Sequence, residues 1–186
     1  MNIQELKDLQ PLVYQQFVTI LEQGRLAHAY LFSGDFASFE MALFLSQALF
    51  CQEKIGVHPC GKCRSCRLIE SNDFSDVTIV APQGNFIKTD TIRELVKNFS
   101  QSGFESSQQV FIIRDAEKMH VNAANSLLKV IEEPQSTIHI FLLTNQEEAV
   151  LPTIKSRTQI ISFPQNLPYL ERILEEEGLL KTQASL

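Results

Sequence analysis

Five short apolar runs constrain what this chain can fold into. They are AYLF, which ends at Ser33-Gly34, then DVTIVAP, QVFIIRD, TIHIFLLT and TQIISF. Each is close to continuous in aliphatic and aromatic residues rather than alternating, so each needs cover on both faces. Amphipathic stretches with helical spacing separate them. Val13, Phe17, Ile20 and Leu21 share one face over residues 11–23. Met41, Phe44, Leu45, Ala48 and Leu49 follow the first run. Ile92, Leu95, Val96 and Phe99 follow the second, opened by a capping box of Thr91 with Glu94. Ala124, Leu127, Leu128 and Ile131 follow the third and stop at Pro134. This alternation predicts an α/β fold, a doubly wound parallel five-stranded sheet with right-handed crossovers.

The 186 residues suit one domain plus the start of another. Pro164 and Pro168 close the strand–helix unit, so residues 1–165 are expected to be one domain. Residues 166–186, with the helical YLERILEEEGLL, are expected to open a second domain that the chain does not complete. No run is long enough to cross a bilayer, and MNIQELKDLQ lacks a signal pattern. The expectation is a cytoplasmic protein with no membrane partner. A net charge of -6 argues against a broadly basic nucleic-acid surface.

The turn after the first run has the outline of a phosphate loop without its chemistry. Such a loop reads G-x-x-x-x-G-K-[ST] between a strand and a helix. Counted from Gly34, the second glycine is Phe39, the lysine is Glu40 and the hydroxyl residue is Met41. Phe39 puts a ring where backbone should approach phosphate. Glu40 puts a carboxylate where an ammonium should pair, and like charges at about 4 Å repel by about 1 kcal/mol even in water. Met41 has no hydroxyl for magnesium. After the third run, Arg114-Asp115 stands where P-loop ATPases carry an Asp-Glu pair. Two independent parts of an ATP site are therefore degenerate, and ATP is not expected as a cofactor.

Cys51, Cys60, Cys63 and Cys66 are the only cysteines, and they lie within sixteen residues. Four thiolates at short spacings close a tetrahedral zinc site with no open position, a structural rather than a catalytic site. Lys62, Arg64 and Arg67 would offset its charge. An iron–sulfur cluster is a weaker rival, and His58 is close enough to compete as a ligand. The module, about 51–66, is an insertion between the helix after Gly34 and the second strand.

Thr144 and Asn145 end the fourth run, where P-loop ATPases place a polar sensor. Ser156-Arg157 follows a short helix begun near Pro152. An arginine at such a point can reach a neighbouring subunit's γ-phosphate. Taken alone, a surface arginine paired with a carboxylate is the commoner arrangement.

Together, GRLAHAYLFSG, CGKCRSC, IIRDAEKM, ANSLLKVIEEP and LLTNQEEAVLPTIKSR resemble the delta prime family of bacterial DNA polymerase III clamp-loader subunits. The resemblance implies an AAA+ P-loop-type fold with an inserted zinc module and a small helical lid domain, cut short here. It implies no catalysis in cis, and Arg157 with Ser156 as a trans-acting arginine, although Thr158 replaces the family's cysteine. It implies delta and tau/gamma as partners and, through the assembled complex, the sliding clamp and primer-template DNA. The fragment itself is expected to be monomeric. A weak ATP-binding AAA+ ATPase is the alternative. A zinc-knuckle DNA-binding module built on Lys62, Arg64 and Arg67 ranks last.

Overall fold

The computed structural model describes residues 2–99, 108–133 and 137–178. Pro134, the Phe99 side chain and residues 179–186 of the expected lid lie outside that set. All five apolar runs are strands: β1 Ala29–Ser33, β2 Val77–Val80, β3 Gln108–Ile113, β4 Thr137–Thr144 and β5 Gln159–Ser162. Every pairing is parallel, in the order β2-β3-β4-β1-β5.

The continuous apolar character of the strands follows from cover on both faces. Tyr30, Phe32, Val110, Ile112, Phe141 and Leu143 face one core, shared with α1 (Ile3–Leu9), α2 (Pro11–Glu22) and α3 (Ser38–Phe50). Leu31, Phe111, Ile113, Ile140 and Leu142 face the other, shared with α5 (Thr89–Phe99), α6 (Val121–Glu132) and α7 (Pro152–Lys155). The period of two along each strand deals alternate residues to opposite layers. The short helix α4 (Arg64–Glu70) belongs to the cysteine insertion, and α8 (Leu167–Glu176) follows β5. None of the α8 side chains is buried. No described helix is long and apolar enough to cross a membrane.

One expectation needs correction. Thr91 lies inside α5, whose first residue is Thr89, so Thr91 and Glu94 do not form a capping box. A capping box does occur where none was expected: Asn2 accepts from the Glu5 backbone N–H, and Glu5 accepts from that of Asn2. It opens α1, a helix whose single fully buried residue, Leu6, leaves little apolar periodicity to read.

Strands β1 and β4 are neighbours, yet the chain leaves β1 toward α3 on one face and leaves β4 toward α7 on the other. The crevice outside their carboxyl ends is thus a topological switch point. There the Gly34 N–H donates to the Thr144 carbonyl (2.8 Å), and Phe163 N–H donates to Ser33 (2.7 Å). Gly34 has φ +108°, and a Cβ on it would lie 2.3 Å from the Phe163 carbonyl oxygen. This glycine is required by the approach of the chain after β5, whatever happens to phosphate. Gly34→Ala should therefore cost roughly 3 kcal/mol or more from combined clash and strain. Urea unfolding measures it, and a change below about 0.5 kcal/mol would contradict the packing described.

At the amino ends of β1 and β4, His28 and His139 stack with ring centroids 5.9 Å apart. Burial holds His139 below the usual imidazole range, the Ala27 carbonyl opposes that shift, and His28 adds to it. A base whose folded pKa is depressed binds fewer protons folded than unfolded. Its contribution to stability is thus complete above about pH 6.5 and is lost as pH falls through that value toward the lower folded pKa. Unfolding free energy should decline below about pH 6.5, and His139→Phe should flatten the slope.

Candidate nucleotide-site remnant and metal centre

The loop after β1 runs from Gly34 to Ala37, and α3 begins at Ser38. Ala37 holds a left-handed conformation (φ 68°) that a side chain adopts at some cost. Gln10 anchors the loop from outside the motif. It is buried, and its Nε2 donates to the carbonyls of Phe36 (2.8 Å) and Pro164 (2.7 Å). Nothing in the local sequence marks Gln10 for this role.

The expected site residues divide into two groups. Phe39, on the first turn of α3, and Arg114, immediately after β3, meet: the guanidinium carbon lies 4.4 Å from the ring centroid. Stacked cation–π contacts of this kind are worth about 0.5–1 kcal/mol when exposed. The residues singled out in the loop and after β3 are thus in contact with one another. Glu40 and Met41 turn elsewhere. Glu40 lines a hollow with Asn2, Ile3, Cys60 and Gly61, and Met41 is fully buried in the core. Asp115 precedes the 3-10 turn Ala116–Lys118 with φ 51° and gives it no side-chain cap.

The polar residues at the end of β4 also point at this crevice. Asn145 Nδ2 donates to Asp35 in the loop (3.3 Å). The buried Thr144 hydroxyl donates to Glu117 (2.7 Å) and accepts from the Gln146 N–H (3.0 Å). Sequence reasoning did not pick out Glu117, because its partner Thr144 lies far along the chain, at the end of β4.

Arg157 lies at the other end of the sheet. It lies two residues before β5, whose Gln159 pairs with Tyr30 near the start of β1. A five-residue strand is about 16 Å long, so Arg157 cannot serve the loop of its own chain. Its Nε donates to Glu132 at the end of α6, and its Nη1 donates to the Thr153 carbonyl (3.1 Å) and to Ser156 Oγ (3.2 Å).

The four cysteines converge as expected. All four sulfurs lie within 4.8 Å of one another, and those of Cys51 and Cys63 are 3.9 Å apart. A tetrahedron with zinc–sulfur bonds of about 2.3 Å has edges of about 3.8 Å, so the set fits zinc. Cys51 caps the end of α3, and Cys63 caps the start of α4 with its sulfur accepting from the Cys66 N–H. Further N–H groups of Glu53, Cys60, Lys62 and Cys63 aim at the sulfurs of Cys51 and Cys60 over 3.2–3.4 Å. Gly61, at φ +72°, supplies the left-handed step this turn needs. Gln47 on α3 donates to the Cys66 carbonyl (2.9 Å) and ties the module to the domain.

Two of the thiols titrate apart. Burial opposes ionisation of Cys63, but the N–H groups of Cys66 and Gln52 and the neighbouring thiols outweigh it and hold its pKa at about 6. Burial and the neighbouring Cys63 and Cys51 push Cys66 up, against a hydrogen bond from Gly61. A cation is what would let the set ionise together. His58 is turned to the Tyr14 ring instead (centroids 6.2 Å apart) and is absent from the ligand cluster. Lys62, Arg64 and Arg67 are exposed around it.

The wholly parallel sheet, the loop at its switch point and the helical cover on both faces make a P-loop module of the AAA+ class. The chain belongs to the DNA polymerase III, delta subunit family, whose description matches residues 9–166. It is 40% identical over 177 residues to DNA polymerase III subunit delta' of Bacillus subtilis (strain 168), covering 93% of this chain and 54% of that protein. The chain thus spans about half the length of that relative. A DNA polymerase III gamma subunit-related protein from Thermotoga maritima superposes with a TM-score of 0.61 at 25% identity, over 92% of this chain and 56% of that one. The RuvB Holliday junction branch migration motor of Thermotoga maritima, at TM-score 0.55 and 13% identity over 95% of this chain and 54% of that one, shares the fold alone.

Proposed function

We propose that this chain is the AAA+ part of a delta prime-type clamp-loader subunit that neither binds nor hydrolyses ATP productively. It donates Arg157, supported by Ser156, to the nucleotide of an adjoining ATPase subunit. The contact between Phe39 and Arg114 carries this reading. An arginine in place of a magnesium carboxylate already disfavours a metal. Its stacking on Phe39 places ring and cation together at the mouth of the loop, with the lysine position occupied by Glu40. The location of Arg157 at the far end of the sheet supports action on a neighbour.

Cys51, Cys60, Cys63 and Cys66 would hold one structural zinc, which makes a folded knuckle from an insertion with little core. On this reading residues 1–165 are the nucleotide-binding-type domain, and α8 belongs to a helical lid. The partners of the complete subunit are delta and tau/gamma in the cytoplasm, acting on the sliding clamp and primed DNA. Titration of the chain with magnesium and ATP tests the silent site. No saturation below about 1 mM is expected, whereas micromolar magnesium-dependent affinity would favour a weak ATPase.

A further inference from the structure

We propose that Glu132 is a positioning residue for Arg157, holding the guanidinium plane so that one edge is presented to a phosphate of the adjoining subunit. The inference rests on the trans role of Arg157 and names the device that supports it. Three contacts fix the side chain. Nε donates to Glu132, and Nη1 donates to the Thr153 carbonyl and Ser156 Oγ. Ser156 Oγ is itself held by the Thr153 carbonyl (3.1 Å).

Both anchor points sit next to buried residues. Glu132 follows Ile131, which is buried against the sheet, and ends α6. Thr153 precedes Ile154, which is buried in the same core. Nη2 has no partner among the described residues, and the group opens onto a hollow of about 300 Å³ lined by Ala27, His28 and Thr158.

The consequence is a matter of entropy and aim. A free arginine samples many rotamers, and ordering it on a partner's phosphate would weaken the contact it makes. Here Nε and Nη1 are engaged within the chain, so the order is established on folding. The edge left over can give a phosphate oxygen hydrogen bonds of fixed direction. Transition-state contacts are sensitive to such aim, since a displacement of about 1 Å can cost about a hundredfold in rate.

The test uses the full-length subunit reconstituted with its ATPase partners and reads steady-state ATP turnover. Glu132→Ala should lower kcat on the order of tenfold, with KM changed by less than about twofold. Glu132→Gln, which keeps an acceptor for Nε, should retain most of the rate. Adding Glu132→Ala to Arg157→Ala should change nothing further, because Glu132 acts only through Arg157. An unaltered kcat in Glu132→Ala beside a slow Arg157→Ala overturns the positioning role and leaves the trans arginine standing. A further loss in the double variant overturns it too, since a structural effect would be independent of Arg157. A native rate in Arg157→Ala alone overturns the trans role and this inference with it. The Arg157 Nε–H proton resonance gives a second reading: it should move on Glu132→Ala, and an unmoved signal contradicts the contact.

Discussion

Arg157→Ala in the full-length subunit should slow ATP turnover at the adjoining site of the assembled loader by about a thousandfold or more while leaving this chain folded. The size follows from what a guanidinium does in phosphoryl transfer. Negative charge spreads over the transferring oxygens, and a trans arginine contributes roughly three to five decades in rate. The folded state has little to lose. Arg157 is exposed, and its pairing with Glu132 is a surface contact of the kind worth about 0–1 kcal/mol. Turnover of the reconstituted complex and thermal unfolding of the free subunit separate the two effects. Lost turnover with lost folding would leave the arginine without a demonstrated chemical role, and retained turnover would refute it.

Removal of a metal held by the four cysteines should be the largest stability effect. Metal analysis should find about one zinc per chain, released by a strong chelator. Release, or Cys66→Ala, should cost about 3–5 kcal/mol and lower Tm by about 10 °C. Cys66 is fully buried, and α4 starts from the Cys63 cap. The module rests on the domain through Ile69 and the Phe50–Phe74 ring pair (4.9 Å). Without a cation, four sulfurs within 4.8 Å must keep protons or repel. The parallel sheet has its own two cores and should persist, so far-ultraviolet dichroism should change little. A metal-free protein of native Tm would refute the zinc assignment.

The sheet was legible because a doubly covered strand has to be apolar at nearly every position, and the five runs contain few charges. The cysteine set was legible because its spacing alone restricts the chemistry. Elements that depend on tertiary choice were not. Helix α1 buries little, so its capping box at Asn2 and Glu5 stood without a periodic stripe behind it. At the start of α5, Thr89 and Thr91 are both plausible starts, and local spacing favours the one that pairs with Glu94. The contact of Phe39 with Arg114 joins residues on different elements. Each was readable as a lost function, but not as a partner of the other. The same holds for Arg157 and Glu132, and for Gln10, which reaches Phe36 and Pro164 across the fold. Gly34 carries a further lesson. In sequence it suggests phosphate, yet the Phe163 carbonyl above it is reason enough for a glycine.

Diffraction from crystals of this chain grown with magnesium and a non-hydrolysable ATP analogue at millimolar concentration tests the silent site most directly. Phe39 should still be stacked on Arg114, with no nucleotide over Gly34. An ordered triphosphate there, with a cation beside it and Arg114 swung away, would contradict a silent site.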